Sequence, residues 1–348
     1  MAAPISPLRK WWIKLTNFEF WPFDVFYFPV KVYYAFLALR SRSFFFFTAS
    51  NPTIEFGGLL GEKKSEVFDL IPEQYIPKTR LFQPESKVTE INEFMRKENI
   101  SFPIILKPDV GERGWMVRKI KHEKDIDEYL ERTQVPFLLQ EYVDFPVELG
   151  VFFIKVPGEE GKVTSIVKKG FLSVTGNGKD TVKDLLLANP RAAIQLDFES
   201  EMFEGLMERI PEVGEEVEVE AIGNHCRGTT FLNENSAIDD DLHQIFNQIA
   251  DEIEGFYFGR FDLRCRSIAD LKQGKNFKIL ELNGAGSEPG HIYQPGFPLW
   301  RAYKDVCWHL KMLRKVSARN RSLGHEYWSF SKGWAKMKSI QVYQQQMD

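Results

Sequence analysis

The stretch FGRFDLR, residues 258–264, and the stretch KILELNGAGSEPG, residues 278–290, decide how the rest of the chain reads. Alternating apolar and polar residues mark both as β-strands, with Asp262 on the first and Glu281 and Asn283, two apart, on one face of the second. A Glu-x-Asn pair on an otherwise apolar strand is costly to bury without a partner. Three oxygen donors converging from neighbouring strands suit Mg²⁺, a hard cation that takes carboxylates together with substrate phosphates and keeps its waters.

Working outward, PIILKPDVGERGWMV (103–117) puts Lys107 at the end of a buried-type strand, just before a loop carrying Gly111 and Gly114. Glycines let backbone amides approach phosphates, and a lysine beside them supplies positive charge. Alone, the segment reads by default as a surface lysine and a hairpin. Next comes FLLQEYVDFPVELGVFF (137–153), strand, turn, strand. Gln140, Glu141, Tyr142 and Val143 are placed to offer backbone groups and the Glu141 carboxylate to an adenine edge, and Glu148 to accept from ribose hydroxyls. Taken by itself this is also a two-stranded edge with solvated carboxylates. The segment GGLLGEKKS (57–65) lacks the spacing of a phosphate loop and reads as a turn before a helix.

These pieces, in this order and spacing, resemble the ATP-grasp superfamily, especially its D-alanyl-D-alanine ligase branch, over about residues 103–290. The resemblance implies an α+β fold in which two α+β lobes grip ATP, preceded here by a short atypical lead-in and an aromatic arm. It implies that Lys107, Gly111 and Gly114 meet nucleotide phosphates, that Gln140 to Val143 line the adenine pocket, and that Glu148 holds ribose. By the same resemblance Asp262, Glu281 and Asn283 hold two Mg²⁺, with Mn²⁺ able to substitute, and Arg260 steadies the transferred phosphoryl group. LSVTGNGKDTVKDLL (172–186) is similar to an element of ATP-grasp peptide ligases such as the cyanophycin synthetases, with Asn177 where they have Asp. A glycine turn capping a helix at Asp180 or Thr181 has the same appearance. The family usually carries a Rossmann-like domain in front, and residues 48–102 are too short to be expected to form one.

The implied activity is an ATP-dependent carboxylate–amine ligase working through an acyl phosphate, with Lys107 and Arg260 as catalytic groups. Amides near Gly284 to Gly286 are candidate oxyanion donors. Substrate choice is expected from GAGSEPGHIYQPG (284–296) and HCRGTTF (225–231): His225 and Arg227 for a carboxylate, Ser287, and His291 to orient or deprotonate an amine. Lys168 and Lys169 read either as a further phosphate contact or as a solvated pair. Two other readings stay open: an ATP-grasp kinase, and a non-catalytic nucleotide-binding module at a membrane surface.

The chain has 348 residues, 43% of them hydrophobic, with net charge −4 and an unusual aromatic load of 30 Phe and 8 Trp. That length suits several packed units, and that charge excludes a strongly basic nucleic-acid binder. Three widely spaced cysteines, Cys226, Cys265 and Cys307, form no zinc spacing and point to a reducing, cytoplasmic setting. The expected division is an aromatic basic arm (1–47), a pre-grasp unit (48–102), an ATP-grasp domain (103–310, lobes about 103–160 and 161–310) and a basic C-terminal tail (311–348). Helices are expected near 65–70, 123–133, 181–187, 198–209 and 242–254.

Both ends are basic: six Lys/Arg against two Asp/Glu over residues 1–42, and ten against three over 301–348. Charges and prolines interrupt the arm, so neither a signal peptide nor a spanning helix is expected. Pro22 and Pro29 argue against one clean amphipathic helix there. The arm, including Trp11, Trp12, Trp21 and the Phe44–Phe47 run, reads either as an anchor on an anionic membrane at its inner face or as a surface packed on the chain's own body or on a twin subunit. The expected small-molecule partners are a carboxylate and an amine.

Overall fold

In a computed structural model the structure describes residues 5–111, 114–196, 198, 203, 205–220 and 228–347. Every strand pair in it is antiparallel. The chain begins with α1 (Pro7–Thr16) and α2 (Phe23–Ser41). Short turns, with α3 (Lys64–Phe68), then lead to β1 (Thr79–Phe82) and α4 (Val88–Glu98). A first sheet, in the order β1-β4-β2-β3, joins β1 to β2 (Ile104–Pro108), β3 (Arg118–Ile120) and β4 (Phe137–Glu141), with α5 (Lys124–Arg132) between the last two. Ile104, Leu106, Phe137 and Leu139 point to one face and pack with Ile91, Phe94 and Ile126 of α4 and α5. The alternate residues Ile105, Lys107 and Gln140 therefore point to the other face.

The larger sheet begins with β5 (Val147–Ile154) and β6 (Lys162–Gly170). A hairpin-like pair, β7 (Leu172–Thr175) and β8 (Glu216–Glu220), carries α6 (Val182–Ala188) and α7 (Pro190–Gln195). Then follow β9 (Thr230–Asn233), α8 (Asp240–Asp251), β10 (Phe258–Cys265), α9 (Ile268–Lys272) and β11 (Phe277–Asn283), in the sheet order β11-β10-β5-β6-β9. The chain ends in α10 (Leu299–Ser322) and α11 (Phe330–Met347).

Leu149, Val151, Phe153, Phe261 and Leu263 face α8 in the main core. The opposite face of the same strands divides along its length. Phe152, Ile154 and Phe258 lie under Phe45, Phe46, Phe47 and α10, whereas Glu148, Arg260, Asp262 and Arg264 occupy the other end. Burying the apolar end of this face, at roughly 25 cal/mol per Å², fixes the sheet that presents the polar end.

Several expectations are corrected. Strand β5, expected in the first lobe, pairs with β10 and β6 in the second sheet. Its run LGVFFI is buried on both faces, which suits an interior strand. Strand β1, expected in the pre-grasp unit, joins the first sheet. The boundary expected at 310/311 falls inside α10, whose Leu313 and Val316 are core residues, so the C-terminal segment is two helices and not a tail. Phe45, Phe46 and Phe47 are at most 2% exposed, which removes them from any membrane contact; only Phe44 of that run is exposed. Pro22 caps α2, and Pro29 lies within it on the exposed side, where the carbonyl losing its donor belongs to exposed Val25. Of the helix expected near 198–209, residues 199–202 and 204 lie outside the described residues; within the described part Gly205 adopts φ +73° and residues 205–208 form a turn. Thr181 does cap α6, accepting from the Asp184 amide at 3.1 Å, while the Asp184 carboxylate caps back.

Candidate active site

Alternation along β10 brings Arg260, Asp262 and Arg264 onto one face, against Asn283 and Glu281 of β11 on one side and Gly150 and Glu148 of β5 on the other. Gly150 is required. A Cβ there would sit 3.1 Å from Asp262 Oδ1 and 3.2 Å from Arg260 Cδ, where those two side chains meet. Arg260 grips Asp262 as a fork, Nε to Oδ1 at 2.7 Å and Nη2 to Oδ2 at 3.0 Å. Lys169 of β6 lies 3.6 Å from the same carboxylate and 3.0 Å from Glu148. Arg264 closes the chain on Glu148 at 2.8 Å, on the Tyr142 hydroxyl at 3.0 Å and on the Val143 carbonyl at 3.0 Å.

These charges are buried, so each matters to the next. Burial opposes ionisation of Asp262, but Arg260 and Lys169 outweigh it and hold the carboxyl below its usual range. Burial also works against charge on Lys169, yet Asp262 and Glu148 hold its pKa above that of a free lysine.

Lys107 comes from the other sheet. Its Nζ donates to Gln140 Oε1 at 3.1 Å and to the Leu280 carbonyl at 3.0 Å. The β10–β11 register steps from Asp262↔Glu281 to Leu263↔Ile279, so Leu280 is the extra residue of a bulge, and its carbonyl is left for a partner outside the ladder. Burial pushes the Lys107 pKa down to about 8, against the opposing pull of Glu281. The Glu281 carboxylate accepts no hydrogen bond among the described residues, and the buried Nδ2 of Asn283 has no partner.

Other expected site residues are committed elsewhere. Each oxygen of Glu148 already meets one cation, Lys169 or Arg264, so a ribose hydroxyl there would share the carboxylate with them. The Gln140 amide serves Lys107 and Thr79. The Glu141 amide bonds the Lys78 carbonyl at 2.8 Å, and Val143 gives its carbonyl to Arg264. Tyr142 lies beneath Lys119, 4.0 Å from ring centre to Nζ, beside a cavity of about 350 Å³ that Phe102, Glu141 and Asp144 also line. Gly111 is held through its carbonyl by Lys64 at 2.7 Å, and Gly114 adopts φ +75°. Between them, residues 112 and 113 lie outside the described residues.

The amides of Ala285 and Gly286 donate to the Gly57 and Gly58 carbonyls, each at 2.9 Å, so they are not oxyanion donors. Gly58 and Gly284 must both lack side chains for this approach: a Cβ on Gly58 would lie 2.7 Å from the Gly284 Cα. Ser287 closes its own loop on the Asn283 carbonyl at 2.7 Å. His291 is 3% exposed, with Nδ1 on Ser165 at 2.7 Å and Nε2 on Asp305 at 3.1 Å; it anchors the loop and has no ring nitrogen for an amine. His225 and Arg227 lie outside the described residues.

Lys169, expected as a phosphate contact or as half of a solvated pair, is buried and paired with Glu148 and Asp262, and the sequence reading missed Arg264, although it continues the alternation of Arg260 and Asp262. It also missed Glu288, which accepts from Tyr293 at 2.8 Å and from Tyr27 of α2, tying the first long helix to the loop after β11. Nothing local signals a contact between residues so far apart.

No protein-family model and no curated protein matches the chain. Solved structures similar to it include the D-alanine–D-alanine ligase from Bacillus anthracis, at 11% identity and TM-score 0.43 over 75% of this chain and 69% of that one. A bifunctional glutathione synthetase from Pasteurella multocida is similar at 13% identity and TM-score 0.36, over 74% of this chain and 36% of that one. The VanG D-Ala:D-Ser ligase from Enterococcus faecalis is similar at 13% identity and TM-score 0.43, over 76% and 63%. The chain thus spans less than two thirds of the length of the last two. At such TM-scores the likeness carries no argument about activity.

Proposed function

We propose that the chain is an ATP-dependent carboxylate–amine ligase of the ATP-grasp type. The observation that carries the reading is Lys107 crossing from one antiparallel sheet to the bulge of the other, beside Glu281 and Asn283 and next to the Arg260–Asp262 pair. A lysine and an arginine converging on uncommitted oxygen donors suit a polyphosphate better than they suit a core.

Mg²⁺ fits part of this set. Glu281 has open lone pairs, and a half-turn of the Asn283 amide replaces its unpartnered Nδ2 with an oxygen donor. Asp262 is different, because Arg260 already holds both of its oxygens. Among the described residues no three His, Cys, Asp or Glu side chains group as a metal site. Glu281 and Asn283 would therefore hold Mg²⁺ together with phosphate oxygens and water, and the ion would neutralise charge on the transferred phosphoryl group.

The chain's own residues supply the rest. Lys107 holds phosphate oxygens of the nucleotide. A substrate carboxylate oxygen bonds to the γ-phosphorus as the bond to the bridging oxygen of ADP breaks, and Arg260 steadies the resulting acyl phosphate. The amine nitrogen then bonds to the acyl carbon, phosphate departs with the carboxylate oxygen, and the nitrogen gives up a proton. With His291 committed to Ser165 and Asp305, that proton goes to the departing phosphate or to water.

The test is ADP release screened against amino-acid and peptide pools. A ligase yields ADP and inorganic phosphate together with an amide product, and only when a carboxylate and an amine are both present. Phosphorylated product without an amine identifies a kinase, and no turnover with any pair leaves a nucleotide-binding module.

A further inference from the structure

We infer that the exposed faces of α1 and α2 form a docking surface for an anionic lipid membrane, on which both helices lie in the plane of the headgroups. Helix α1 buries none of its residues. Its Leu8, Trp11, Trp12 and Leu15 fall at i, i+3, i+4 and i+7, one stripe of a helix, and each is more than half exposed. At 100° per residue, Arg9 and Lys14 flank that stripe on either side. Neither has an ion-pair partner among the described residues, and α1 contains no acidic residue.

Helix α2 is apolar on two sides. Phe26, Val30, Leu37 and Ala38 pack inward, while Val25, Phe28, Val32, Phe36 and Leu39 form a second stripe with exposures of 50–78%. A helix that is apolar all round has its outer side covered in the working protein. Lys31 and Arg40 flank this stripe as Arg9 and Lys14 flank the first. The stripe runs at Leu39 into an apolar groove of about 860 Å³, lined also by Arg42 and by Arg321, the latter paired with Glu326.

The flanking charge chooses the occupant. On α2 the only acid, Asp24, pairs with Lys31, so among the described residues the unpaired cations beside the two stripes are Arg9, Lys14 and Arg40, and the stripes of a second copy offer them no acid. Anionic headgroups match Arg9, Lys14 and Arg40, and tryptophan favours the interfacial depth. Among the described residues no helix is long and apolar enough to cross a membrane, so the surface lies on the bilayer and does not span it.

The experiment is co-sedimentation of the full chain, without nucleotide, on vesicles of phosphatidylcholine alone and of phosphatidylcholine mixed with phosphatidylglycerol. Wild type is expected on the anionic vesicles and to be released by high salt. Neutralising Arg9, Lys14 and Arg40 together with Gln weakens that binding about a hundredfold. Phe28→Ser with Val32→Ser weakens it as well, with thermal melting unchanged because both sites are exposed. No preference for anionic vesicles, or full binding by the neutralised variant, overturns the proposal. So does a salt-insensitive dimer that Phe28→Ser with Val32→Ser dissociates, since a second copy would then cover the stripe. None of these readouts depends on the ligase reading, which stands or falls on turnover.

Discussion

Two halves of one sheet face, made by the same pair of strands, do opposite things. On β5 and β10, Phe152, Ile154 and Phe258 disappear beneath Phe45–Phe47 and α10, while a few residues along the same strands Glu148, Arg260 and Asp262 hold a buried ionic chain. Strand alternation tells which side a residue faces. What lies over that side comes from distant segments, and it decides whether the position is core or site. The apolar half is the clamp that fixes the spacing of the charged half.

The sharpest way to break this comparison is to remove one charge from the charged half. Asp262→Ala strands Arg260 and Lys169 in a buried place and is expected to lower unfolding free energy by about 3–5 kcal/mol, and to stop turnover. Replacing the pair together, Arg260→Met with Asp262→Leu, is expected to leave stability close to wild type while activity is still lost. Urea unfolding of both variants separates the two effects; equal destabilisation by each would mean that the pair is structural.

The converse change lies in the apolar half. Phe152→Ala is expected to lose about 3–5 kcal/mol through the cavity it leaves. Nucleotide affinity of the folded protein stays unchanged, as read by calorimetry well below the melting transition. Lower affinity would mean that the two halves are not separable.

Much of the site was legible because its residues share a short period. Asp262, Glu281 and Asn283 face one way by alternation, and Lys107 ends a strand before glycines. The companions were harder. Asp262 keeps an arginine two residues away as its own partner, so a spacing that suggests a free metal ligand also suits an ion pair. His291 looks available until Ser165 and Asp305, far off in the chain, occupy both ring nitrogens. The run Phe44–Phe47 has the composition of an interfacial anchor, and only the packing of α10 and Phe56 makes Phe45 to Phe47 core. The lobe boundary was misplaced because β5 follows β4 after a short turn yet lies between β10 and β6 in the other sheet.

A smaller effect sharpens the link between the two sheets. Lys107→Ala is expected to weaken nucleotide binding by about 1.5–3 kcal/mol, the range for a hydrogen bond to a charged group. The pH dependence has a definite sign. Lys107 is cationic below its pKa of about 8 and loses its charge as pH rises through that value, so wild-type affinity falls above pH 8. Lys107→Arg stays charged and shows no such fall. A flat wild-type profile would remove the phosphate role.

The smallest change concerns the loop after β11. Tyr27→Phe removes one of the two hydroxyls on Glu288 and is expected to lose about 1 kcal/mol of loop positioning, a several-fold drop in turnover with nucleotide affinity unaltered. Unchanged turnover would make the contact a packing detail of α2.

The most direct measurement is calorimetric titration of ATP, with and without Mg²⁺, into wild type and into Glu281→Gln and Asn283→Ala. If the open donors on β11 hold the metal-bound nucleotide, wild type binds far more tightly with Mg²⁺, and each variant loses that difference while melting at the wild-type temperature. Equal Mg²⁺ enhancement in all three proteins would contradict the assignment of this half of the sheet face as the nucleotide site.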